Sequence, residues 1–313
     1  MKSILTVTLV LLALFLGLGF ILPDWTIFLL TIALAKGLAV LGVALLMQAG
    51  LVSFGQGLFY AASAYALGFA MRLLNVQEAL LVTILGVIMG MAVAALVGLL
   101  IARYREIFFA MLSLAFTMAL WGALQKSTDI TGGDDGMGIA TPTILGIGFP
   151  QEQLRLALYF YTLVCAAIVI YLVYRYLDSP LGYAARAVKD NEVRVEYLGM
   201  SVQRTIYMTY ILAAGLAGLG GALVALNVGH ITPELAYWAT SGSFISIALL
   251  GGTGSVFAPL IGSVAFEFIR SEAASRWPDA WQLIIGVIML AVILFMPRGL
   301  WTIVETVGRK VRR

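Results

Sequence analysis

Apolar residues in this chain run in long unbroken stretches separated by short polar clusters, with no sustained alternation of apolar and polar positions. About 20 mostly apolar residues suffice for a helix to cross a bilayer. The pattern predicts helices over 4–22, 27–47, 57–71, 79–101, 107–125, 154–174, 205–227, 240–252, 256–270 and 280–296. The expected fold is all-α, a polytopic membrane protein of about ten transmembrane helices forming one domain over 1–313. The first stretch follows Lys2 and imitates a signal peptide. Its 19 residues exceed a usual signal core, however, and no Ala-x-Ala site precedes Pro23, so a retained helix is expected.

Composition removes the soluble alternatives. Of 313 residues, 62% are hydrophobic and 11% charged, against about 25% charged in a soluble domain. The single cysteine, Cys165, lies in an apolar run and cannot form an intrachain disulfide. Apolar burial also disfavours a reactive thiolate there. Charge distribution sets the orientation, because lysine and arginine collect on the cytoplasmic side. With the N-terminus inside, the inner segments hold thirteen of nineteen basic residues and the outer ones five. Both termini are expected to be cytoplasmic and the protein multi-pass in the cytoplasmic (inner) membrane.

Two loops exceed simple connections. The outer one, 126–153, contains Thr131-Gly132-Gly133-Asp134-Asp135-Gly136 and then Pro142 and Pro150. The inner one, 175–204, carries helix signals: Asp178 or Ser179 as cap, Pro180 at the first position and Gly199 at the stop. Between them Ala184, Val188, Val195 and Leu198 recur as an apolar stripe. Arg186, Asp190 and Arg194 follow at i,i+4 on another face, where opposite charges support a helix weakly. One helix outside the bilayer, with an apolar edge to present, is expected.

Catalytic signatures are missing. A phosphate-binding P-loop needs Gly-Lys-Ser/Thr, and none of the five lysines follows glycine. ATP hydrolysis by that route would need a separate subunit. The one histidine, His230, supplies neither a zinc-binding cluster nor a triad in a nucleophile elbow. It reads as a polar residue at an interface. No catalytic, cofactor or metal site is expected, and no nucleic-acid partner.

Charges within spans are costly and therefore informative. Lys36 lies nine residues, or about 14 Å, into its expected helix, and either lines a pathway or pairs with a carboxylate. Glu267 lies three residues from the expected end of its helix, where Arg270 at i+3 pairs with it locally. Glycine-rich breaks interrupt the apolar runs at Ala49–Gly57 and Gly251–Ser255. Broken backbone at membrane depth needs protein or a water-filled cavity to satisfy it, and often marks a transport pathway. Gly215, Gly218, Gly220 and Gly221 read as close helix packing.

These motifs together resemble the permeases of branched-chain amino-acid ATP-binding-cassette importers. Gly50-Leu51-Val52-Ser53-Phe54-Gly55-Gln56-Gly57 resembles their second-helix signature, and Thr131–Gly136 their outer-loop signature. Ser179-Pro180-Leu181-Gly182, Lys189-Asp190-Asn191-Glu192 and Gly199 resemble their cytoplasmic coupling segment. Gly251–Ser255 with Pro259 and Gly262, then Pro297-Arg298-Gly299-Leu300, complete the series in order along nearly the whole chain. The longer outer loop is similar to that of the M-type subunit.

The resemblance implies a permease fold with broken helices, forming half of a heterodimeric pore for a small-molecule substrate. The implied partners are a second permease, two cytoplasmic ATPase subunits and an extracytoplasmic substrate-binding protein. ATPase coupling is expected at Ala184, Val188, Asp190, Asn191, Glu192, Val195, Leu198 and Gly199. Pathway candidates are Lys36, Ala44, Gln48, Ser53 and Gln56. The chain departs from the family pattern where asparagine, glycine and tyrosine are replaced by Ala44, Met47 and Gln48. Those departures leave open urea, short amides or other amino acids as substrate. An ion-coupled secondary transporter would need buried acids or histidines in mid-span, and only Glu267 is a candidate. A membrane enzyme or structural subunit lacks any polar cluster to support it.

Overall fold

Long apolar runs can satisfy their backbone in a bilayer only by hydrogen-bonding within themselves, so they become helices. The computed structural model describes residues 15–302 apart from 18, 20, 297 and 298. Most of the first expected helix, 4–22, and Pro297-Arg298 lie outside the described residues. The long helices are α1 (Asp24–Gln48), α2 (Gln56–Leu73), α3 (Ala79–Ile101), α4 (Glu106–Lys126) and α5 (Gln151–Leu177). Two short helices, α6 (Pro180–Asp190) and α7 (Glu192–Tyr197), precede α8 (Val202–Val228). α9 (Trp238–Gly251), α10 (Ala258–Arg276) and α11 (Trp281–Phe295) follow. Nine expected spans thus coincide with helices. The largest discrepancy is α10, which continues to Arg276. Among the described residues, five helices are long and apolar enough to cross a membrane: Asp24–Gln48, Ala79–Ile101, Glu106–Lys126, Gln153–Leu177 and Val202–Val228.

α1 and α8 form the centre. A helix that is apolar all round is buried on all sides, and α1 buries Leu38, Val40, Leu41, Val43 and Leu46 in succession. α8 packs against α1, α2 and α3. Small residues let it approach closely. A Cβ on Gly220 would sit 2.6 Å from the Ala35 carbonyl, and one on Gly221 would strike the Tyr60 carbonyl. Gly215 and Gly218 likewise face Met91 and Ser63. α3 and α11 turn leucine and isoleucine outward, with Leu81, Ile88, Leu96, Leu283 and Leu290 exposed. This apolar outer surface suits hydrocarbon.

One end of the bundle is tied by short strands. β1 (Met137–Gly138) pairs antiparallel with β4 (His230–Ile231), and β2 (Thr143–Ile144) with β3 (Ile147–Gly148). His230 Nε2 lies 2.8 Å from the Asp135 carbonyl, so the histidine anchors the glycine-rich loop. Glu78 holds the β2–β3 hairpin: its carboxylate accepts from the Leu145 and Gly146 amides, both at 2.8 Å, and from Thr143 Oγ1 at 3.1 Å. Desolvation is the largest single influence and acts to raise the Glu78 pKa, but these donors with the Leu80 amide together outweigh it and hold the group below its ordinary value.

Candidate functional site

The opposite end gathers both helix breaks. α1 stops at Gln48, and Gly50 takes φ +80°, a left-handed conformation suited to glycine. The freed backbone is then satisfied by other helices. The Phe54 amide donates to Ser113 Oγ at 3.1 Å, and Thr117 Oγ1 donates to the Phe54 carbonyl at 3.1 Å. The Gly57 amide, in the first turn of α2, donates to Ser241 Oγ at 2.9 Å. Ser53 caps locally, its Oγ accepting from the Gly55 amide at 3.1 Å. Hydroxyls from α4 and α9 therefore replace the hydrogen bonds a continuous helix would have made.

The second break meets the first. α9 ends at Gly251, Gly252 takes φ +94°, and α10 starts at Ala258. Gln48 Nε2 donates to the Thr253 carbonyl at 2.9 Å. The replacement of the family's tyrosine by Gln48 thus has a structural role, joining the two breaks.

The segment after α5 corrects the sequence reading in two respects. It is not one helix, because Asn191 (φ −165°, ψ 103°) ends α6 and caps α7, its Oδ1 accepting from the Arg194 amide at 2.9 Å. Ser179 caps α6 by accepting from the Gly182 amide at 3.3 Å. Nor is the apolar stripe an exposed edge. Ala184, Val188 and Val195 are buried within this chain, and of the four only Leu198 is open, at 77% exposure. α6 and α7 use those residues to seat themselves on the bundle, so a Val188 substitution would test the fold before any docking. The exposed apolar residues are instead Tyr183, Val193, Tyr197 and Leu198, beside exposed Asp190, Asn191 and Gly199. This pair of helices touches the first break, because a Cβ on Gly50 would lie 3.3 Å from Lys189. Arg105 Nε donates to Glu192 at 2.7 Å, which ties the segment to the start of α4.

Lys36 is paired across helices. Its Nζ lies 2.8 Å from Glu267 Oε1, and Arg270 Nη2 lies 2.9 Å from Glu267 Oε2. Glu267 is not at a helix end, because α10 extends to Arg276. Its partner on α1 was missed, although oppositely charged residues in separate apolar runs were the available signal. Ala44, Ser53 and Gln56 are fully buried and Gln48 partly so. Ala44 serves helix packing, and both amide atoms of Gln56 lack a partner. Among the described residues, no three His, Cys, Asp or Glu lie together to hold a metal ion.

Comparison with known proteins decides the family. A family model described as the branched-chain amino acid transport system / permease component matches residues 25–293. The chain belongs to that family. It is 28% identical over 273 residues to the high-affinity branched-chain amino acid transport system permease protein LivM of Escherichia coli K12. That match covers 80% of this chain and 64% of LivM, so the chain spans just under two thirds of that relative. A probable branched-chain amino acid transport permease protein LivM of Methanocaldococcus jannaschii is 25% identical, covering 71% of this chain and 67% of its own. The E. coli permease protein LivH is 21% identical, covering 80% and 85%. No solved structure matches the chain. The family and the apolar helices together make it an integral membrane protein.

Proposed function

We propose that this chain is one of two pore-forming subunits of an ATP-binding-cassette importer for branched-chain or related amino acids. The observation that carries the reading is the match to the permease family over 25–293. The convergence of two helix breaks with a peripheral helix pair supports it. In this reading the chain crosses the cytoplasmic membrane ten times with both termini inside, 126–153 outside and 175–204 inside. A second permease completes the pore, an extracytoplasmic protein delivers substrate, and two ATPase subunits supply the motor.

A motor outside the membrane acts on the pore only through a contact with two arrangements. The exposed edge of α6 and α7 (Tyr183, Val193, Tyr197 and Leu198, rimmed by Asp190, Asn191 and Glu192) is the docking element. Gly199 ends it in the left-handed conformation, φ +83°. Displacement of α6 passes through Lys189 to Gly50, and from α7 through Glu192 and Arg105 to α4, whose hydroxyls hold the first break. The pathway candidates Gln48, Ser53 and Gln56 lie at the first break, where that route ends.

Proteoliposomes holding the complete importer test the reading. Leucine uptake should require ATP and vanish when the ATPase subunits are left out. Uptake driven by a proton gradient alone refutes it. Tyr197→Asp should reduce ATPase co-purification while leaving the permease pair assembled, whereas unchanged co-purification and uptake move the docking role elsewhere.

A further inference from the structure

Three charges meet inside the apolar bundle. Lys36 stands twelve residues, or about 18 Å, beyond Asp24, midway along α1. Glu267 is 1% exposed and accepts from Lys36 Nζ at 2.8 Å on one oxygen. Its other oxygen accepts from Arg270 Nη2 at 2.9 Å and Nε at 3.2 Å. Two basic side chains share one carboxylate, so with all three groups ionised the cluster carries one positive charge in excess. That charge is not sealed in: the side chains of Lys36 and Arg270 are 21% and 42% exposed. Ionisable groups at such depth face other protein or a wet passage rather than hydrocarbon.

A second observation lies on α2. Gln56, Tyr60 and Ser63, spaced to share one helix face, are fully buried with polar side-chain atoms that have no partner. Tyr60 packs on Gly221 of α8, whose neighbour Gly220 packs on Ala35, the residue before Lys36. The unfilled Tyr60 hydroxyl therefore belongs to the helix layer that packs on the turn of α1 carrying Lys36.

We propose that Lys36, Glu267 and Arg270 line the translocation route and read the carboxylate of an amino acid in transit. Arg270 is the contacting residue, and Glu267 holds both cations in place. This inference rests on the chain being an amino-acid permease. A neutral solute such as urea has no charge to offset the surplus, whereas an α-carboxylate does. Glu267 competes for the same guanidinium, which keeps the contact weak enough for the substrate to leave. Arg270 commits Nε and Nη2 to Glu267 and leaves Nη1 for the passing ligand.

The test uses the complete importer in proteoliposomes with radiolabelled leucine. Arg270→Gln should lower the uptake rate at least tenfold, and Arg270→Lys, which keeps the charge, should retain at least a third. Arg270→Cys in a Cys165→Ala chain should react with an anionic water-soluble thiosulfonate at least tenfold faster than Leu290→Cys, on the exposed apolar face of α11. The labelling needs no transport, so it decides even where the substitution abolishes uptake. Wild-type uptake by Arg270→Gln, or an Arg270→Cys thiol no more reactive than that of Leu290→Cys, overturns the proposal. An unsubstituted importer that takes up no amino acid overturns the parent reading with it.

Discussion

Ser113→Ala isolates the hydroxyl that keeps the first helix break intact. Ser113 is fully buried, and its Oγ accepts from the Phe54 amide at 3.1 Å while donating to the Ala110 carbonyl at 2.8 Å. The substitution removes one oxygen, creates almost no cavity and strands a buried amide donor. An unsatisfied buried donor costs about 1–3 kcal/mol, and no helical carbonyl is in register to replace the serine. Ser127→Ala is the control: Ser127 Oγ donates to the Ala123 carbonyl at an exposed site, and such a change should stay within about 0.5 kcal/mol. Equilibrium unfolding in mixed detergent micelles compares the two variants. Hydrogen exchange at the Phe54 amide should also accelerate in Ser113→Ala only. Equal stability of the two variants, with unchanged exchange at Phe54, would show that Ser113 does not hold the break.

Gly221→Ala places a methyl group against the Tyr60 carbonyl. Overpacking costs about 1–3 kcal/mol, so the yield of folded protein should fall, while Gly122→Ala, whose added methyl meets nothing within 4 Å, leaves it unchanged. The Glu78 clamp should depend on pH with a definite sign. Its folded pKa is depressed, so its stabilisation is full above the ordinary value of 4.5 and is lost as pH falls through the lower folded value. Exchange protection at Leu145 and Gly146, corrected for the intrinsic pH dependence, should drop over that window in wild type and be weak at every pH in Glu78→Ala. Asp190→Cys in the Cys165→Ala chain should resist an impermeant thiol reagent added to intact cells, and labelling from outside would reverse the proposed orientation.

The helices were legible because nothing else in the chain competes with apolar runs of that length. What eluded the sequence were places where helix signals outlast the true element or stop short of it. Val188 and Val195 are seven residues apart, which suits one continuous helix as well as two short ones. The break between them is marked only by Asn191 followed by Glu192, a capping residue and an acid at a first position. Ser271–Arg276 is polar enough to resemble a loop, and this placed Glu267 at a helix end and concealed its link to Lys36. Burial was the harder quantity. An apolar stripe on a peripheral helix has the same pattern whether it meets a partner or its own chain, and here Ala184, Val188 and Val195 meet their own chain.

The enclosure of α1 constrains how the protein is made. α1 leaves the ribosome well before two of the helices packed against it, α8 and α10, which begin at Val202 and Ala258. For most of synthesis α1 stands in lipid with Lys36 lacking Glu267, its eventual counter-charge. Chains halted before α10 would therefore expose a lone buried-type cation, a signal by which membrane quality control can tell an unfinished copy from a finished one. Domains build from the N-terminus as they emerge, but the core of this one closes only when α8 and α10, from Val202 onward, arrive.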